Sequence, residues 1–115
     1  VIAEQCSRRN IPVNVVDDPE FCSFIFPAVV HSGPFSVGIS TGGASPTAAI
    51  YFKERLEAMV PEHFDEILGW LSTQRSVMKE RIADEQARAV VFKRMLSACM
   101  EKGAPLDDRE MEELL

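Results

Sequence analysis

The 115-residue sequence predicts an α+β chain in three parts: the end of a parallel α/β unit, a β-hairpin, and a small C-terminal helical domain. Three observations predict it. A helix, a tight turn and a near-continuous apolar run follow one another over residues 1–16, the pattern of a parallel sheet buried on both faces. Two β-rich runs flank Ser32-Gly33-Pro34, the pattern of a hairpin. From Pro46 onward apolar residues recur at helical spacing. The expected divisions are 1–22, 23–60 and 61–115.

The first element, Val1 to Asn10, reads as the end of a helix, with Arg8 and Arg9 where the helix dipole favours cations. Asn10 is suited to a left-handed stop. Ile11 to Val16 is the strand, ended by Asp17, Asp18 and Pro19. Ser23 to His31 is extended, and Pro27, which has no N–H for a ladder, puts it at an edge or a bulge. Phe35, Val37 and Ile39 then alternate with Ser36, Gly38 and Ser40. Because Phe24 to Val30 is apolar on both faces, a lone ribbon would leave it bare, and a second copy of the chain is the expected cover. Ser45 is a good N-cap and Pro46 a good first residue for a helix reaching Val60. Its apolar face is Ala49, Phe52, Leu56, Met59 and Val60, and the helical Leu, Met and Phe residues are expected to be core. Pro61 restarts the chain. Phe64, Ile67, Leu68 and Leu71, continued by Met78 and Ile82, mark the next helix. Phe92, Met95, Leu96 and Cys99 mark another, stopped by Gly103 and Pro105. Asp107 and Glu110 have capping-box spacing for a last helix.

A formal net charge of −6 argues against nucleic-acid binding, which needs clustered Lys and Arg. No apolar run approaches the roughly 20 residues of a membrane span. Cys6, Cys22 and Cys99 are odd in number and not spaced as metal ligands or a redox pair, so reduced thiols in a cytoplasmic protein are expected. The chain begins at Val1, inside a helix, and reads as cut from something longer.

Two places suit chemistry. Asp17 stands at the carboxyl end of the apolar run, where open α/β sheets hold their ligands. It is either a general base or acid, with Asp18 and Glu20 near enough to raise its pKa, or the cap of the turn before Pro19. Ser40-Thr41-Gly42-Gly43-Ala44-Ser45 leads into a helix N-terminus. It is either a cradle for a carboxylate or phosphate, with three hydroxyls beside turned-in N–H groups, or an ordinary turn with an N-cap. No Lys follows the glycines, so it is not a P-loop. Asn14, polar within the apolar run, either satisfies a buried backbone group or faces a site. His31 and His63 have no partner at metal-ligand spacing, and no metal site is expected.

Pro12-Val-Asn-Val-Val-Asp17, Ser23-Phe-Ile-Phe-Pro27 and Ile39-Ser-Thr-Gly-Gly-Ala-Ser-Pro46, in this order and spacing, resemble the siroheme synthase family, and more narrowly its precorrin-2 dehydrogenase module. The likeness is specific up to about Pro61 and only general beyond it. It implies a Rossmann domain binding NAD, a central homodimerisation region and a helical domain. It implies oxidation of precorrin-2 to sirohydrochlorin with NAD as hydride acceptor, and in some members insertion of Fe2+. It places the catalytic aspartate at Asp17 and the substrate-side loop at Ser40, Thr41, Gly42, Gly43 and Ser45; Asn14, read from its place in the apolar run, is expected among the substrate-binding residues. The family often has Ser-Ser-Gly-Gly where this chain has Ser40-Thr41-Gly42-Gly43, which keeps the hydroxyl. The family's glycine-rich phosphate loop would precede Val1, so these 115 residues alone are expected neither to bind NAD nor to turn over. Two other readings stand beside this one. One is a non-catalytic module that dimerises and holds a tetrapyrrole. The other, an unrelated helical interaction domain with a hairpin arm, is opposed by the motif order.

Overall fold

The computed structural model describes residues 2–13 and 26–115. The expected sites Asn14 and Asp17, and Cys22, lie outside the described residues. The fold is α+β. In chain order the elements are α1 (Ile2–Arg8), β1 (Ala28–Ser32), β2 (Phe35–Ile39), α2 (Pro46–Met59), α3 (Phe64–Arg81), α4 (Glu85–Lys102) and α5 (Asp108–Leu114). The strands pair as one two-stranded sheet. The chain divides into two compact units. One takes in the described residues up to Val30 with Val37–Ala58, and the other His31–Ser36 with Met59–Leu115.

In the first unit, α1 stops as its sequence dictates. Asn10 adopts φ 55°, and the Ile11 N–H reaches back to the Cys6 carbonyl at 2.8 Å. The expected strand at Ile11–Val16 is not seen in its described portion: Ile11 to Val13 have no regular structure. A parallel strand is held by ladder partners, and the described strands β1 and β2 pair only with each other. Pro27 lies just before β1, so its missing N–H takes no bond from the ladder. Its ring explains Gly38 in β2, since a Cβ there would meet the Pro27 Cγ at 3.3 Å. β2 alternates half-buried and exposed as its sequence predicts, with Phe35, Val37 and Ile39 inward. Helix α2 corrects an expectation. None of its residues is buried, and Phe52 is 55% exposed. Periodicity supplied the apolar face, of which Ala49 and Leu56 are half-buried while Phe52 is exposed. Tyr51 packs edge-on to Phe52, and the Arg55 guanidinium lies 4.5 Å above the Tyr51 ring.

The second unit holds the larger core. Phe64, Ile67, Cys99 and Leu106 form one buried cluster, and Met78, Met95 and Met111 another. Trp70, Leu71 and Leu114 pack against both. The expected core position Met59 is instead 69% exposed, because it precedes the break at Pro61. The Phe35 and Phe64 rings meet edge to face at 5.1 Å. Gly33 takes φ 57° in the turn, and a Cβ there would lie 2.6 Å from that of Asp65, so only glycine fits. The helix ends follow local chemistry. Asp84 accepts from the Ala87 N–H at 2.9 Å, Gly103 closes α4 at φ 77°, and Asp107 and Glu110 complete the capping box. Burial raises the pKa of the Cys99 thiol. The N–H groups that α5 offers to Asp107 hold its carboxyl below its ordinary value.

Candidate functional site

The turn between β2 and α2 brings together Ser40, Thr41, Gly42, Gly43 and Ser45. Gly42 and Gly43 both have positive φ, 64° and 82°, which turns the chain sharply into the helix. Thr41 staples the turn from within: its Oγ1 accepts from the Ser45 N–H at 3.0 Å and donates to the Ser45 carbonyl at 3.1 Å. The Ser40 Oγ accepts from the Gly42 N–H at 3.2 Å, and the Ser45 Oγ caps α2 by accepting from Ala48 at 3.1 Å. The Ala44 N–H bonds the Thr41 carbonyl.

The bonding divides the loop's donors into two sets. The N–H groups of Gly42, Ala44, Ser45 and Ala48, and the Thr41 hydroxyl, hold the loop's own shape. The hydroxyl hydrogens of Ser40 and Ser45 are not used in these bonds, because each oxygen acts as acceptor within the turn. The N–H groups of Gly43 and Thr47 have no partner among the described residues. These four donors stand at the start of a 14-residue helix, whose dipole favours an anion there. The arrangement can accept a carboxylate without disturbing its internal bonds.

Beside the loop lies an open groove of about 290 Å³, floored by Phe26, Ile39, Ala49 and Ile50, with Ser40, Thr41 and Gly43 at its rim. Its apolar floor was not singled out from the sequence. Ile39 carried a signal through strand alternation, whereas Phe26 and Ile50 meet only through the fold. An apolar floor with donors at one edge suits a ligand with a greasy body and an acidic arm. Among the described residues no group of three His, Cys, Asp or Glu side chains is placed to hold a metal ion. Among the described residues no helix is long and apolar enough to cross a membrane.

Residues 1–28 match a family model described as "Putative NAD(P)-binding". The matched stretch contains no glycine. A dinucleotide's pyrophosphate is held by backbone N–H groups in a glycine-rich turn before a helix, so the residues present here do not fit that part of the cofactor.

The chain is 38% identical over 95 residues to a siroheme synthase of Thioalkalivibrio sulfidiphilus, covering 83% of the chain and 19% of that protein. It is 38% identical over 108 residues to one from Hydrogenovibrio crunogenus, covering 93% of the chain and 23% of the relative. It is 47% identical over 75 residues to one from Gluconacetobacter diazotrophicus, covering 65% and 16%. The chain thus spans about a fifth of the length of these relatives. Over the matched residues, it belongs to the siroheme synthase family.

Proposed function

We propose that this chain carries the substrate side of a homodimeric, NAD-dependent precorrin-2 dehydrogenase that makes sirohydrochlorin for siroheme. The observation that carries the reading is the turn at Ser40–Ser45, which keeps donors unused by its own bonds beside a groove that Ser40 and Gly43 line together with Phe26, Ile39 and Ile50, in a relative of siroheme synthases. A tetrapyrrole acid has that chemistry, an apolar ring system with carboxylate arms. In this reading Ser40, Ser45 and the Gly43 N–H receive one arm. Thr41 and Gly42 set the loop's shape. Asp17 accepts the proton that the substrate loses on oxidation, and Asn14 lies on the substrate side. The protein works in the cytoplasm, and Fe2+ insertion is a further activity of the same tetrapyrrole site.

A second reading is dimerisation and tetrapyrrole binding without turnover. One experiment separates the two. The matching segment of the Thioalkalivibrio sulfidiphilus siroheme synthase is replaced by this chain, and sirohydrochlorin formation from precorrin-2 and NAD is followed by absorbance. Turnover within about tenfold of the parent is expected. A folded chimera that binds precorrin-2 and does not oxidise it supports the second reading and removes the first.

The dimer rests on uncovered apolar surface in the first unit outside the groove, where Val29, Tyr51 and Phe52 are exposed. Sedimentation of the chain across concentration is expected to show a dimer, and Phe52→Glu to shift it towards monomer. A wild-type chain that stays monomeric at high micromolar concentration removes this part of the proposal.

A further inference from the structure

The geometry points to a docking groove for an acidic amphipathic helix on the α3–α4 face of the second unit, apart from the loop discussed above. Two cavities share Arg75 and Phe92 and so form one groove between the two helices. Along α3 it runs from Leu68 to Lys79, about 16 Å at the helical rise. One end is mainly apolar, with Leu68, Leu71, Phe92 and Leu96 beside Ser72 and Lys93. At the other end Arg75, Lys79 and Arg88 meet a single carboxylate, Glu85.

Charge selects the occupant. The chain as a whole is at −6, yet this end of the groove carries three cations against one acid. Neither Arg75 nor Lys79 has an ion pair among the described residues. Arg88 is held in place by its Nη1 bonds to the carbonyls of Ile82 and Ala83, at 2.7 and 2.9 Å. Shape selects a helix. The groove is open along its length, where small-ligand sites are enclosed, and it follows two packed helices.

The same helices already hold one such partner. α5 is acidic, buries Met111, and pairs Glu112 with Arg81 and Glu110 with Lys102. A second acidic helix on the other groove would complete a four-helix arrangement.

The test uses the full 115-residue chain and a fluorescent 18-residue helical peptide with leucines on one face and glutamates at one end. Saturable binding by anisotropy is expected, weakened about tenfold by Arg75→Glu with Lys79→Glu and similarly by Leu96→Glu. These side chains are exposed, so the variants should keep the wild-type melting temperature, which is measured alongside. The peptide with lysine for glutamate should bind much more weakly. No saturable binding, or equal binding by the lysine peptide or by the variants, overturns the proposal. So does a wild-type dimer that the charge reversal makes monomeric, because the occupant would then be a second copy.

Discussion

Asp17→Asn, made in the chimeric siroheme synthase described above, is expected to lower precorrin-2 oxidation by roughly 10²–10⁴-fold, the range a positioned base contributes. The residue lies outside the described part of the structure. It follows the apolar run Ile11–Val16 and precedes Asp18, Pro19 and Glu20. Asparagine keeps the shape and the hydrogen-bonding reach and cannot take up the proton. If Asp17 only capped the turn before Pro19, asparagine would serve as well, because both are good turn residues. Turnover would then survive. Turnover and melting temperature are measured on the same sample. More than about a tenth of the parental rate at unchanged melting temperature rules Asp17 out as the base, since that loss falls short of a typical base contribution.

Features fixed by a few adjacent residues were legible in the sequence. Asn10 announced its left-handed stop, Ser45-Pro46 the start of α2, Gly103 the end of α4, and Asp107 with Glu110 the capping box. Each is a bond or a backbone angle set within a handful of positions. The β2 alternation was legible for the same reason, because a strand's two faces follow from a period of two. What depended on distant partners was not legible. Phe52 and Met59 have helical spacing and were expected in a core, but spacing says that a face is apolar and not what lies against it. Gly33 read as turn punctuation, whereas its need to be glycine also comes from Asp65, 32 positions away by residue number. At the candidate site the glycines and hydroxyls were readable. The division of labour, with the Thr41 hydroxyl both donating and accepting within the turn while the Ser40 and Ser45 oxygens only accept there, was set by bonds that only the folded loop displays.

Ile67→Ala is expected to destabilise the second unit by about 2–5 kcal/mol, the usual loss for a fully buried large aliphatic residue. Ile67 is 0% exposed and sits on α3 among Phe64, Cys99 and Leu106, so the helices it joins hold the hole open rather than closing over it. At about 4–8 °C per kcal/mol for a domain of 60–100 residues, the melting temperature should fall by at least roughly 8 °C. Ile67→Val removes one methylene and should lose only about 0.5–1.5 kcal/mol, which gives a graded pair at one position. Trp70 is the chain's single tryptophan and packs against both buried clusters, so its fluorescence reports unfolding of this unit. Urea titrations of the three proteins at equal concentration, with the slope of stability against urea compared, give the measurement. A loss below about 1 kcal/mol for Ile67→Ala at unchanged slope would mean that the surrounding side chains refill the space. The cluster around Ile67 would then be a deformable contact and not the anchor that holds α3 in place.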